Sequence, residues 1–236
     1  MKRLVVLTLL LLLPSGWSGA QTSVDLSAED GLLEAARTAN ERGDGEALRA
    51  VEPKALRDGA AADRQGERLI LHLASGQEKA YQNTPECRDT EREAACQTFS
   101  LIAHARARSV FVVAKLYYES TEYLLVDEST GEETVLDALP TFSPSGKRLL
   151  VVVENDTKLG FLIQVWQHSG HRFLLDWLGA PYTEGTYTTY RFLQWPSEDR
   201  IELQAVTSFE PPMPDVSRRF AIGRSWRGWG VSEIPE

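Results

Sequence analysis

The residues of this chain that could do chemistry gather in three places. His168 and His171 stand on either side of Ser169-Gly170. If that pair closes a hairpin, the two imidazoles face each other and, with a carboxylate such as Asp176, offer a zinc-type ligand set. The other reading is two solvated turn histidines. A second group is acidic: Glu119, Glu122, Asp127, Glu128, Glu132 and Glu133. A glycosidase needs two carboxyl groups flanking one bond, one of them kept protonated by burial. Hairpin tips are solvated, so these acids read rather as charges that keep a sheet edge soluble. The third group is aromatic: Trp166, Trp177, Tyr182, Tyr187, Tyr190 and Trp195. Such residues fill a core or, where exposed together, form a platform for a peptide, a partner or a sugar.

Against these stand the motifs the chain lacks. It has no Gly-x-Ser-x-Gly nucleophile elbow, no phosphate-binding or dinucleotide glycine motif and no His-Glu-x-x-His. His72, in an apolar stretch, reads as a half-buried strand residue, and the DEST turn lacks the alternating oxygen ligands of a calcium loop. No catalytic residue, cofactor-binding residue, metal ligand or cofactor is assigned.

The elements that must position these residues begin with a leader. Lys2 and Arg3 precede an apolar run, Leu4 to Leu13, interrupted by Thr8. Pro14 and Gly16 follow, and small residues Ser18 and Ala20 precede Gln21. A basic start, an apolar middle and a small-x-small end make residues 1–20 a secretory signal peptide. The run falls short of the ~20 residues that span a bilayer, and no later segment is uniformly apolar. The expected location is therefore exported, periplasmic or secreted, with no membrane span after cleavage. Losing Lys2 and Arg3 makes the chain more acidic than its formal −9, which disfavours nucleic acid. In an oxidising compartment Cys87 and Cys96 form a disulfide across the polar stretch RDTEREAA. So short a loop stabilises by about 2–3 kcal/mol at most.

Residues 21–66 read as a helical lead-in and linker. Leu32, Leu33, Ala36 and Ala39 recur at helical spacing until Gly43 and Gly45, and GAAADRQG (59–66) is small and polar. Residues 67–236 read as β-rich. SVFVVAKLYY (109–118) is strand-forming, Gly131 suits the left-handed position of a hairpin, and Ser143-Pro144-Ser145-Gly146 suits a type I turn. Leu149 to Val153 shows no alternation, which marks a strand buried on both faces. The fold expected is mostly β: a partial or small β-propeller-like array of about twelve short antiparallel strands behind a short helical segment. Pro144-Ser145-x-x-Arg148-Leu149-x-Val151 recurs as Pro196-Ser197-x-x-Arg200-Ile201-x-Leu203, each after an aromatic residue.

Phe142-Ser143-Pro144-Ser145-Gly146-Lys147 resembles the blade turn of the TolB-like, WD40-like propeller repeats of bacterial envelope proteins. Phe142, Ser143, Pro144, Gly146 and Lys147 match that repeat, and Ser145 replaces its usual aspartate. The resemblance, over roughly residues 67–207, implies a blade structure and an exported bacterial protein that binds a partner; it transfers no functional site. The function expected is a non-catalytic exported binding module for an envelope protein, peptide or glycan. The alternative is an envelope hydrolase acting through paired carboxylates or a His168/His171 metal site.

Overall fold

The computed structural model describes residues 26–57, 61–84, 96–118, 120–155, 160–180, 187–209 and 214–235. Residues 1–20, expected as a signal peptide, lie outside them, as do Cys87, Glu119 and Tyr182. Leu32, Leu33, Ala36 and Ala39 form the buried stripe of helix α1 (Leu26–Glu41). Gly43, at φ 64, ends that helix. Asp44 then caps α2 (Gly45–Arg49), accepting a 2.8 Å bond from the Ala47 amide. A last short helix, α3 (Glu52–Arg57), leads into the strands.

The strands are antiparallel neighbours in chain order and make four successive meanders. The first is β1 (Ala62–Gln65), β2 (Arg68–His72) and β3 (Glu78–Gln82). The second is β4 (Thr98–Ala105), β5 (Val110–Leu116), β6 (Thr121–Asp127) and β7 (Glu133–Leu136). The third is β8 (Thr141–Phe142), β9 (Arg148–Asn155), β10 (Gly160–Ser169) and β11 (Arg172–Gly179). The fourth is β12 (Tyr187–Ser197), β13 (Arg200–Ser208), β14 (Val216–Ser225) and β15 (Gly228–Glu233). A single parallel bridge, Gly160 to Thr188, ties the last two. The chain is thus mostly β, as expected, with fifteen strands among the described residues rather than about twelve.

Three strands were not expected. Ala62–Gln65, read as linker, is β1, and Gly66 (φ 59) turns it into β2. This edge strand looks polar because Arg64 points its guanidinium at Glu52 rather than at water. Strand β8 is only two residues long, and β15, read as a tail, pairs with β14 along its whole length. The lead-in is no separate unit either. Leu32, Leu48, Val51 and Ala55 share one core with Leu69, Leu101, Val113 and Leu149, so the boundary expected at 66 runs through the β1–β2 turn.

The meanders stack face to face. Strands β4 to β6 are buried along nearly their whole length, flanked by the first meander, the helices and the third meander. Strand β9 divides its side chains: Leu149 and Val151 enter the first core and Leu150 the second. That is the physical content of its missing alternation. The second core lies between meanders three and four and holds Ile163, Val165, Tyr190, Ile201, Leu203 and Phe220. The stack is open. Among the described residues no substantial packing joins β12–β15 to β1–β3, and the outermost faces of both are polar. No helix among the described residues is long and apolar enough to cross a membrane.

Candidate functional site

Asp127 ends β6, and its carboxylate gathers the turn that follows. It accepts bonds from the backbone amides of Ser129 and Thr130 at 3.0 and 2.8 Å and from both hydroxyls. His171 joins from the β10–β11 turn, its Nδ1 3.3 Å from Ser129 Oγ and 3.5 Å from Asp127 Oδ1. Serine, histidine and aspartate are together, but not as a triad, in which the two partners sit on opposite ring nitrogens. Here both crowd Nδ1, and the serine hydroxyl is already given to the aspartate. Burial pushes the Asp127 carboxyl up, but the four turn bonds outweigh it and hold it below its usual range. The group fastens two hairpin tips together.

The remaining histidines and acids also have separate partners. His168 stacks on Phe173 with ring centres 4.8 Å apart, whereas His171 is exposed on the turn, so the two do not converge. Asp176 accepts from Arg148 at 2.9 Å and from the Trp229 indole at 2.8 Å. Glu122 takes the Tyr117 hydroxyl at 2.7 Å, Glu132 lies 3.7 Å from Arg172, and Glu133 takes the Tyr81 hydroxyl and the Lys79 ammonium, each at 2.8 Å. Glu128 lies 3.2 Å from Nε2 of His104, a buried histidine stacked on Phe111. Burial lowers the His104 pKa, and the nearby Glu128 only partly offsets this. Among the described residues no group of His, Cys, Asp or Glu is arranged to hold a metal. Cys96 is disulfide-bonded.

The aromatic group divides between the cores. Trp166 packs on the first; Tyr190 is buried in the second, with Trp177 and Trp195 against it. Tyr182 and the Tyr187 side chain lie outside the described residues.

The repeated turn is a joint. Gly146 closes the Ser143–Gly146 turn at φ 71, and Phe142 and Ser143 are buried; Pro144 and Lys147 are exposed. Glu198, in the second copy, accepts the Ser143 hydroxyl and the Ser145 amide, both at 2.7 Å. Burial pushes Glu198 up, and those bonds with the Arg148 charge more than reverse it. Arg148 reaches Asp176 and, at 3.2 Å, Asp199, and lies over the Trp229 ring at 5.2 Å. The two copies therefore lock meander three to meander four.

Two surfaces remain. A cleft of about 610 Å³ lies between α3, the first meander and β4. Its Arg64 and Glu52 are joined by two 2.6 Å bonds, Arg64 also donates to the Phe99 carbonyl, and Glu52 also accepts the Leu101 amide. The other surface is the outward face of β12–β15. Ile201, Leu203 and Ala205 turn inward, so Arg200, Glu202, Gln204 and Val206 point out. Register places Arg191 and Arg219 on either side of Gln204. Gln204 bonds to Ser217 at 2.6 Å. Glu202 takes Gln194 at 2.7 Å, with Arg200 at 3.3 Å and Arg219 at 3.7 Å. The Gln194 bond, then the arginines, hold its pKa low. Reading the sequence for catalytic motifs passes over this face, although the alternation of RIELQAVTS (200–208) marks a strand with one face open.

Compared with known proteins, the chain matches no family model. No curated protein matches it either.

Proposed function

We propose that this chain is an exported, non-catalytic binding module on a propeller-like stack of sheets, and that it docks its partner on the outward face of β12–β15. One observation carries the reading. Strands β4 to β6 inside the stack are buried along nearly their whole length, whereas the last sheet presents an open face with three arginines, two glutamines and one glutamate. The four-meander order supports the propeller-like part of the proposal, as does the resemblance of Phe142–Lys147 to a blade turn. The leader-like residues 1–20 support export.

Two measurements test it. Mass spectrometry of the mature protein should find Gln21, free or cyclised, at the N-terminus; a retained Met1 refutes export. A photo-crosslinking residue at Gln204 should capture an envelope component in intact cells, and the same probe at Gln65, in the first meander, should not. Equal yields at both positions, or none at Gln204, refute the docking face.

A further inference from the structure

We infer that the outward face of β12–β15 takes an acidic polysaccharide, lying across the strands along the row Arg191–Gln204–Arg219. The inference rests on that face being the docking surface proposed above. Charge sets the sign of the partner. The face carries Arg191, Arg200 and Arg219 against Glu202, on a chain whose formal charge is −9. Screening over about 8 Å at physiological salt keeps distant acids from cancelling this local excess.

Spacing and shape set its class. Arg191, Gln204 and Arg219 are direct cross-strand partners. Strands lie about 4.8 Å apart, so the two arginines start about 10 Å from each other with an amide between them. That separation is comparable with the advance of an extended polysaccharide over two sugar rings, so carboxylates on alternate rings can reach both guanidinium groups. Thr189 and Ser217 in the row beside it bring hydroxyl groups. Towards β15 the face is low: Ala221 pairs with Ser232, and a Cβ on Gly230 would meet nothing within 4 Å. A protein partner prefers an aromatic or apolar anchor at the centre of its footprint. Here the centre is Gln204, between Glu202 and Val206 on the same strand.

The test is affinity electrophoresis of the mature chain at about 0.15 M salt, with polygalacturonate, dextran and poly-glutamate as probes. Polygalacturonate should retard the protein and dextran should not. The double variant R191E/R219E should weaken that binding by at least about tenfold. R191K/R219K should retain most of it, and R68E, at the other end of the stack, all of it. Because these side chains are exposed, the variants should keep the wild-type urea midpoint, which separates lost binding from lost folding. Equal, arginine-dependent retardation by poly-glutamate overturns the polysaccharide assignment and leaves the docking face standing. Retardation by neither acidic probe overturns the polysaccharide assignment, and crosslinking at Gln204 decides the docking face separately.

Discussion

Replacing Gly146 by alanine tests how the repeated turn is held. Gly146 sits at φ 71, where a Cβ costs about 1–2 kcal/mol in any surroundings. Here the new Cβ would also lie 2.6 Å from Cγ and 3.3 Å from Cβ of Arg108, in the β4–β5 turn. Those atoms stand close to the backbone and cannot swing aside. The Arg108 side chain is only 6% exposed, rests over the Phe142 ring at 4.7 Å, and reaches Glu29 and Asp30 at 3.5 and 3.4 Å. Overpacking of this kind adds about 1–3 kcal/mol, for a total of about 2–5 kcal/mol. Gly170 is the control: its φ is 65, but nothing lies within 4 Å of its Cβ position. G170A should therefore cost only the backbone term, about 1–2 kcal/mol. Urea unfolding followed by tryptophan fluorescence reads the difference as about 0.3–1.5 M in midpoint, for a slope of about 2–3 kcal/mol/M. Adding R108A should remove most of the excess in G146A, giving a coupling of about 1–2 kcal/mol between the two sites. Equal midpoints for G146A and G170A, or no coupling to Arg108, would refute the packing of this turn against the second meander.

Two further predictions concern buried polar groups. E198A leaves the Ser143 hydroxyl and the Ser145 amide without their carboxylate, and should lower stability by about 2 kcal/mol in the same urea assay; E198Q, which keeps one acceptor oxygen, should cost less. Burial depresses the folded-state pKa of His104, so the unfolded chain binds the extra proton first. Its contribution to stability is complete above the ordinary histidine pKa of about 6.5 and is lost as pH falls below it. H104Q should flatten the loss of stability between about pH 6.5 and 5, and an unchanged pH slope would show that this histidine is not the source.

The legible parts of the fold were those written in neighbouring residues. The unbroken apolar run Leu149–Val153 announced a strand between two cores, and Leu149 and Leu150 do enter different ones. Ser143–Gly146 and Gly131 announced their turns, because left-handed backbone positions call for glycine. What depended on distant partners could not be read. Strand β1 passed for a linker because the residue that neutralises Arg64 is Glu52, in a helix. The His104–Glu128 pair joins strand β4 to the turn after β6. The candidate site shows the same division. The alternation in β13 was read only as a strand, and pairing with β12 and β14 is what turns its neutral outward side into an arginine row.

The end faces also bear on why the stack stays open. To close into a ring, the outward sides of meanders four and one would have to pack as the inner faces do. Meander four would then bury Arg191, Arg219 and the Glu202 cluster, and meander one would bury Asp63, His72 and Glu78, where His72 lies 2.8 and 3.5 Å from the two acids. Desolvating paired charges costs several kcal/mol per ion unless each regains a well-formed partner. The interfaces within the stack run the other way, joined by Leu, Ile, Val and Phe. Charges at the ends therefore act on sheet faces as charged residues act on exposed strand edges, opposing association with another sheet. On this argument, replacing Arg191, Glu202 and Arg219 together by leucine should make the chain self-associate more than the wild type does. Size-exclusion chromatography with light scattering would detect this, and a triple variant with the same mass in solution as the wild type would show that something other than charge keeps the stack open.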